Sequence, residues 1–353
     1  MKSIINRNSK IYYQGQYWND IPRVQKYISK NLTGDETKSW IEWFKEHYAA
    51  KPFEHALFLN CGDGRWEREF IDRNIVTKVT AFDISPELIN KAKSLRGGRN
   101  INYLVEDANR VKLKPRSFDL VVNMAALHHV QYLNRLCLFI AKALKKNGLL
   151  LSYDYVGPHR NQYSLLNWAV MCLVNKTLSA RVRKTNLGYP HLPTMLKNDP
   201  TEAIHSDLII KNIRKYFNII EKKDTGGGVA YDLFTHNNNL FKRKVESLAT
   251  DLEVKKVLSY DKILTKSGIV PVFFSLLVAK PKRVLNNQII SRMQSAENIR
   301  ERYSHKIGNV YTFFDFLKII KWNKSWKERL KLLVKYITIT PERISGRIST
   351  FFD

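Results

Sequence analysis

Between His55 and Asp83 the chain reads HALFLNCGDGRWEREFIDRNIVTKVTAFD, and this stretch limits the fold more than any other. An apolar run, Ala56 to Leu59, breaks at Asn60-Cys61-Gly62-Asp63-Gly64, and a helical pattern follows from Trp66 to Ile71. That order predicts a buried strand, a tight turn and a helix. Glycines in such a turn let the backbone approach a ligand closely, and the helix after it presents free N–H groups. A second apolar strand, Val79 to Phe82, ends on Asp83, 19 residues beyond Gly64. An acid at the end of the second strand of a nucleotide-binding α/β fold sits where it can take both hydroxyls of a ribose. Turn and acid together say more than either alone, because a lone Gly-x-Gly is as easily a plain strand-to-helix connection.

Strands and helices alternate from Ala56 to Val156, the pattern of a doubly wound parallel sheet. Gly62, Asp83, Asp107 and Asn123 fall at the carboxyl ends of its strands, where such sheets bind ligands.

At these residues the chain resembles the class I S-adenosylmethionine (SAM) dependent methyltransferases. Asn60-Cys61-Gly62-Asp63-Gly64 is similar to their first motif, and Asp83 with Ile84 to their ribose-binding position. Val105-Glu106-Asp107-Ala108-Asn109 resembles the motif whose Asp holds the adenine amino group. Ser117 to Asn123, followed by Leu127-His128-His129-Val130, resembles the fourth-strand motif, and Lys145 to Leu151 the turn into the fifth strand. The resemblance implies a Rossmann-like seven-stranded doubly wound sheet with SAM as cofactor. It places Asn60, Gly62, Gly64, Asp83, Ile84, Asp107, Ala108 and Asn123 at the cofactor. Asn60 stands where the family has its first glycine; asparagine tolerates left-handed backbone best among the other residues, so weakened rather than abolished binding is expected.

The resemblance runs over roughly residues 12 to 282. Ser152 to Tyr163, SYDYVGPHRNQY, is similar to a D/E-Y-V-G-P-x-R-x-Q-W signature in a methyltransferase subgroup associated with surface-glycan and natural-product gene clusters. Asn198 to Ile204, Trp18 to Pro22 and Thr225-Gly226-Gly227-Gly228 resemble further stretches of that subgroup. The resemblance implies acceptor contacts from Tyr155, Arg160 and Gln162.

Residues 1–33, aromatic and basic, resemble an N-terminal flap over the cofactor; a packed surface segment is the alternative. A helix capped by Asp35 is expected from Glu36 to Tyr48, with Trp40, Ile41, Phe44 and Tyr48 as its core face. Residues 34–282 form the expected catalytic domain, with an acceptor-covering insertion at about 158–215 and a final strand, Val272 to Ala279. Residues 283–353 form a basic helical extension carrying 14 Lys/Arg against 6 Asp/Glu.

Three cysteines, Cys61, Cys137 and Cys172, lie far apart without CxxC spacing, which fits a reducing compartment with neither disulfides nor a metal site. No signal peptide or spanning run is visible, so a cytoplasmic protein is expected. The net charge of +27 asks for an anionic partner, nucleic acid or a membrane face, unless it reflects a bias toward Lys, Asn and Ile. Phe316 to Ile337 places Trp322 and Trp326 on an apolar helical face flanked by lysines, predicting reversible attachment to the inner face of an anionic membrane or docking on its own domain.

Methyl transfer from a sulfonium needs an acceptor held in line and, for a hydroxyl, a base. His128, His129 and Asp154 are the candidates. The expected activity is O-methylation of a glycan or related cell-envelope or natural-product acceptor, lipid-linked ones included. The alternatives are a nucleic-acid methyltransferase, against which Asn123-Met124-Ala125-Ala126 lacks an N-P-P-Y motif, and a non-catalytic SAM-binding scaffold.

Overall fold

The computed structural model describes residues 16–185, 187–190, 192–241, 248–282 and 291–299. Phe316 to Ile337, most of the C-terminal extension and residues 1–15 lie outside the described residues.

The chain opens with a 3-10 turn, Trp18–Asp20, and helix α1, Pro22–Thr33. Helix α2, Trp40–Tyr48, starts later than the sequence suggests. Ser39 caps it, accepting from Glu42 N while Glu42 reaches back to Ser39 N. Asp35 instead accepts from Thr37 N in a turn before the helix, so a reciprocal capping box outcompetes a single acid. Then β1 (Phe53–Leu59), α3 (Arg65–Asp72), β2 (Val76–Asp83), α4 (Pro86–Leu95), β3 (Ile101–Val105) and β4 (Phe118–Met124) alternate as expected. Helix α5 (Leu133–Ala143) and the long β5 (Leu144–Tyr155) follow. The insertion contains α6 (Leu165–Lys176), α7 (Leu192–Asn198) and α8 (Ile209–Tyr216). The chain returns through β6 (Phe217–Gly226), α9 (Ala230–Phe234), α10 (Asn238–Phe241), α11 (Leu248–Lys266) and β7 (Phe274–Pro281).

The seven strands form one sheet in the order β3-β2-β1-β4-β5-β7-β6. Neighbours from β3 to β5 pair in parallel; β7 lies antiparallel between β5 and β6. The chain winds outward from β1 in one direction to β3 and in the other to β5, so the crevice outside the carboxyl ends of β1 and β4 is the place for a ligand.

Side-chain alternation fixes the two faces. On β1, Leu57 and Leu59 join α5 and α8 through Leu133, Leu136, Ile140, Ile209 and Ile213. Ala56 and Phe58 pack the other way, with Phe44 of α2, Phe70 of α3 and Ile89 of α4. A third core lies over the carboxyl ends and joins Trp18, Ile21 and Val24 with Tyr163, Trp168, Phe234, Val257 and Phe273. The cover is thus built from residues 16–33, the insertion and α9 to α11 together, a wider set than the insertion alone. The described part of the N-terminal segment is core rather than a loose flap: Trp18 is 2% exposed and stacks on Phe274, and Arg23 pairs with Asp251 of α11.

Candidate active site

The turn after β1 carries the backbone its sequence requires. Asn60, Gly62 and Gly64 have φ of 47°, 57° and 76°. Gly62 N donates to Asp83 Oδ2 at 2.9 Å, and Ser85 N donates to Asp83 Oδ1 at 2.9 Å. One carboxylate therefore joins the two loops that would flank a ribose, and each oxygen keeps a further lone pair for a hydroxyl. Burial raises the Asp83 pKa against the opposing backbone donors. A Cβ at Gly64 would lie 2.2 Å from the Tyr103 hydroxyl, so only glycine fits there. Asp107 accepts from Asn109 N and Nδ2, holding its turn at the end of β3. Ile84 is 40% exposed at the same rim, an apolar surface facing outward, while Ala108 is buried.

Asn123 stands at the end of β4 as the resemblance implies, but its side chain is turned to the protein. Its side chain is fully buried, donating to Ser152 Oγ and Asp154 Oδ2 and accepting from Leu127 N. Its side chain braces the end of β4.

Asp154 is likewise removed as a base. Oδ2 accepts from Asn123 Nδ2 at 2.7 Å and from the N–H groups of Ala126 and Leu127, and Oδ1 accepts from Tyr155 N and from His128 Nδ1 at 2.5 Å. Burial works against its charge, but the His128 imidazole and these donors hold its pKa below the ordinary value. Its work is to orient His128.

The two histidines diverge electrostatically. Burial opposes charge on His128, but the Asp154 carboxylate outweighs it and pushes the pKa up to about 9. At His129 burial acts in the same direction as the neighbouring His128 charge, and the pKa falls. The two rings are pushed in opposite directions, the kind of split that separates acid and base roles. Their ring centroids are 4.1 Å apart. His129 Nε2 lies 3.8 Å from Glu202 Oε2.

The other acceptor candidates hold loops. Arg160 is fully buried; Nη1 donates to Pro200 O at 2.5 Å and to Glu202 O, and Arg160 N to Ala203 O. It positions the stretch carrying Glu202 rather than offering a fork to a substrate. Gln162 Nε2 donates to the carbonyls of Arg160 and Pro190. Tyr155 is buried among Phe273, Phe274 and Tyr231. Ala125, Arg160 and Ala203 all take positive φ, 52°, 54° and 50°, so backbone strain gathers around this cluster.

Among the cover segments lies a partly open cavity of 270 Å³ whose walls include Tyr17, Tyr163, Lys184, Glu202, Tyr231 and Asp232. Lys184 Nζ donates to Asp232 O and Thr235 O, and burial lowers its pKa. Burial raises that of the Asp232 carboxyl. Asp232, Lys184 and Glu202 escaped sequence reasoning because the contributing segments are far apart and carry no spacing pattern.

Residues 57–152 match the family model described as a methyltransferase domain. Uncharacterized methyltransferases of Mycobacterium tuberculosis and Mycobacterium bovis are each 26% identical over 141 residues, 39% of this chain and 71% of theirs. A SAM-dependent methyltransferase from Mesorhizobium loti has a solved structure covering 69% of this chain and 97% of its own at 16% identity and a TM-score of 0.43. Residues 57–152 thus match a methyltransferase domain, for which S-adenosylmethionine is the cofactor. The family match ends at Ser152, so the cavity and the segments that enclose it lie outside it.

Proposed function

We propose that this methyltransferase moves the SAM methyl group to a hydroxyl of a glycan or related cell-envelope or natural-product acceptor seated in the cavity among the cover segments. The observation that carries this reading is Glu202, which is a wall of the cavity and also stands 3.8 Å from His129 Nε2. An acceptor in the cavity would thereby lie at the edge of the histidine cluster. Three tyrosine rings, Tyr17, Tyr163 and Tyr231, line the same space as Asp232 and Lys184. Apolar ring faces combined with buried hydrogen-bonding groups suit a sugar, and such groups reject analogues lacking the matching hydroxyl. The resemblance of Asp154 to Tyr163 to the glycan-associated signature supports the same class.

SAM held at the turn of Gly62 and Gly64 and at Asp83 would supply a sulfonium-activated methyl to the acceptor oxygen, with S-adenosylhomocysteine as the leaving group. The hydroxyl proton passes to His129 Nε2, the neutral ring of the pair. His128, held by Asp154, and Arg160, held by the 200–202 carbonyls, keep that geometry.

Single-turnover transfer from methyl-labelled SAM to a panel of glycans, lipid-linked saccharides and nucleic acids tests the reading. Methylation of a saccharide hydroxyl is expected, with His129→Ala slower by ~10²-fold or more and SAM affinity unchanged. Transfer to nucleic acid alone, or a full rate in His129→Ala, would overturn it.

A further inference from the structure

The hydrogen bonds around the paired histidines determine which nitrogen each ring has left to offer. His128 Nδ1 faces Asp154 Oδ1 at 2.5 Å. A carboxylate only accepts, so Nδ1 carries the hydrogen and Nε2 is the remaining nitrogen. At His129, Nδ1 lies 3.1 Å from Thr201 Oγ1, and that hydroxyl donates its own hydrogen to Asp199 Oδ1 at 2.7 Å. Thr201 must therefore accept from His129 Nδ1–H, which again leaves Nε2. Both rings are held from behind by oxygen acceptors, one directly by a carboxylate and one through a hydroxyl backed by a carboxylate. Metal-ligating histidines are oriented in this way, the outer nitrogen bonded and the inner one turned to the metal, which displaces any proton held there.

Glu202 completes the set. His128, His129 and Glu202 each offer one ligand atom, and the three atoms lie within 4.8 Å of one another. The stretch carrying Glu202 is fixed in place by Ile204 N donating to His128 O at 3.0 Å and by Arg160 bonded to the carbonyls of Pro200, Glu202 and Ala203. The third ligand thus comes from a different part of the chain, yet it is tied to the same backbone as the first.

We propose that His128, His129 and Glu202 form a binding site for a divalent first-row transition ion. Two imidazoles and one carboxylate suit zinc, cobalt, manganese or ferrous iron better than calcium or magnesium, which prefer all-oxygen sets. Three protein ligands leave coordination positions open, as catalytic sites require. Because Glu202 also walls the cavity, an open position there can take an acceptor oxygen. The consequence for catalysis rests on the acceptor reading above: with the ion in place His129 is a ligand, and an acceptor hydroxyl bound to the ion loses its proton to solvent instead. The widely spaced cysteines, which argue against a thiolate site, do not bear on one built from imidazole and carboxylate.

Calorimetric titration of the full chain, stripped with chelator, with Zn²⁺ and Co²⁺ tests the site without any acceptor, and Co²⁺ absorption reports nitrogen ligation. One ion per chain is expected. Affinity should fall at least tenfold in Glu202→Gln and in His129→Ala, and about 10- to 100-fold in Thr201→Val, which removes only the hydroxyl behind His129. His47→Ala, far from the site in α2, should bind as wild type does. Thermal unfolding of each variant separates lost ligation from lost folding. Absence of stoichiometric binding, or binding indifferent to Glu202→Gln and Thr201→Val in folded protein, would overturn the site while leaving the methyltransferase reading intact. Metal binding without transfer to any saccharide would do the reverse.

Discussion

Asp83 and Glu67 are both buried acids near the glycine turn, and they differ in their partners. Asp83 accepts two backbone N–H groups, whereas Glu67 is 1% exposed and burial pushes its pKa up from 4.5 to about 8. The sign of the resulting pH dependence follows from linkage. Below pH 4.5 the group is protonated in the folded and unfolded chains alike and costs nothing. Between pH 4.5 and 8 the unfolded chain ionises while the folded chain holds its proton, so stability falls as pH rises, levelling off above 8. Glu67→Gln should therefore unfold at higher urea than wild type at pH 8, by on the order of a few kcal/mol, and show a flatter curve from pH 5 to 8. Equal slopes for the two proteins would contradict a buried, proton-holding Glu67. At this scale the sequence was informative where backbone conformation constrains residue choice, as at Asn60, Gly62 and Gly64. It misled where a polar residue in a motif is consumed by its neighbours. Asn123, Asp154 and Arg160 were read as reaching for a ligand, and the structure has them bonded to the protein, which no single-residue signal distinguishes.

Among the elements, the strand–turn–helix alternation from Ala56 to Val156 was legible because buried parallel strands are continuous apolar runs with sharp ends. The start of α2 was not, because the expected cap, Asp35, lies four residues before Ser39, which forms the reciprocal pair. The contribution of α9 to α11 was invisible for another reason: their role comes from contacts far apart in sequence. Asp261 of α11 is the clearest of these. It is fully buried, and its carboxylate accepts from Gly227 N, Val229 N, Ala230 N and the Tyr27 hydroxyl. It ties the glycine loop after β6 and the start of α9 to α1, and so places Tyr231 and Asp232 against the cavity. Asp261→Ala leaves those donors without a partner and should cost about 2–4 kcal/mol in denaturant unfolding. Below the unfolding transition it should also weaken acceptor binding more than SAM binding. A variant as stable as wild type would mean that the loop holds itself.

Over the whole molecule, the methyltransferase domain supplies the cofactor side, and on the proposed reading three segments from separate parts of the chain supply the acceptor side. No helix among the described residues is long and apolar enough to cross a membrane. The net charge of +27 remains a property for which the described site has no use, since its own groups are largely paired acids, imidazoles and one lysine bonded to carbonyls. The central claim is that cofactor and acceptor occupy adjoining but separately built halves. Calorimetric titration with SAM tests it most directly when wild type, Asp83→Ala and Asp232→Asn are compared. Wild type should bind one SAM per chain, Asp83→Ala should lose ~1 to 3 kcal/mol of that affinity, and Asp232→Asn should bind SAM as wild type does. No binding to folded wild type, or an equal loss in both variants, would contradict the account.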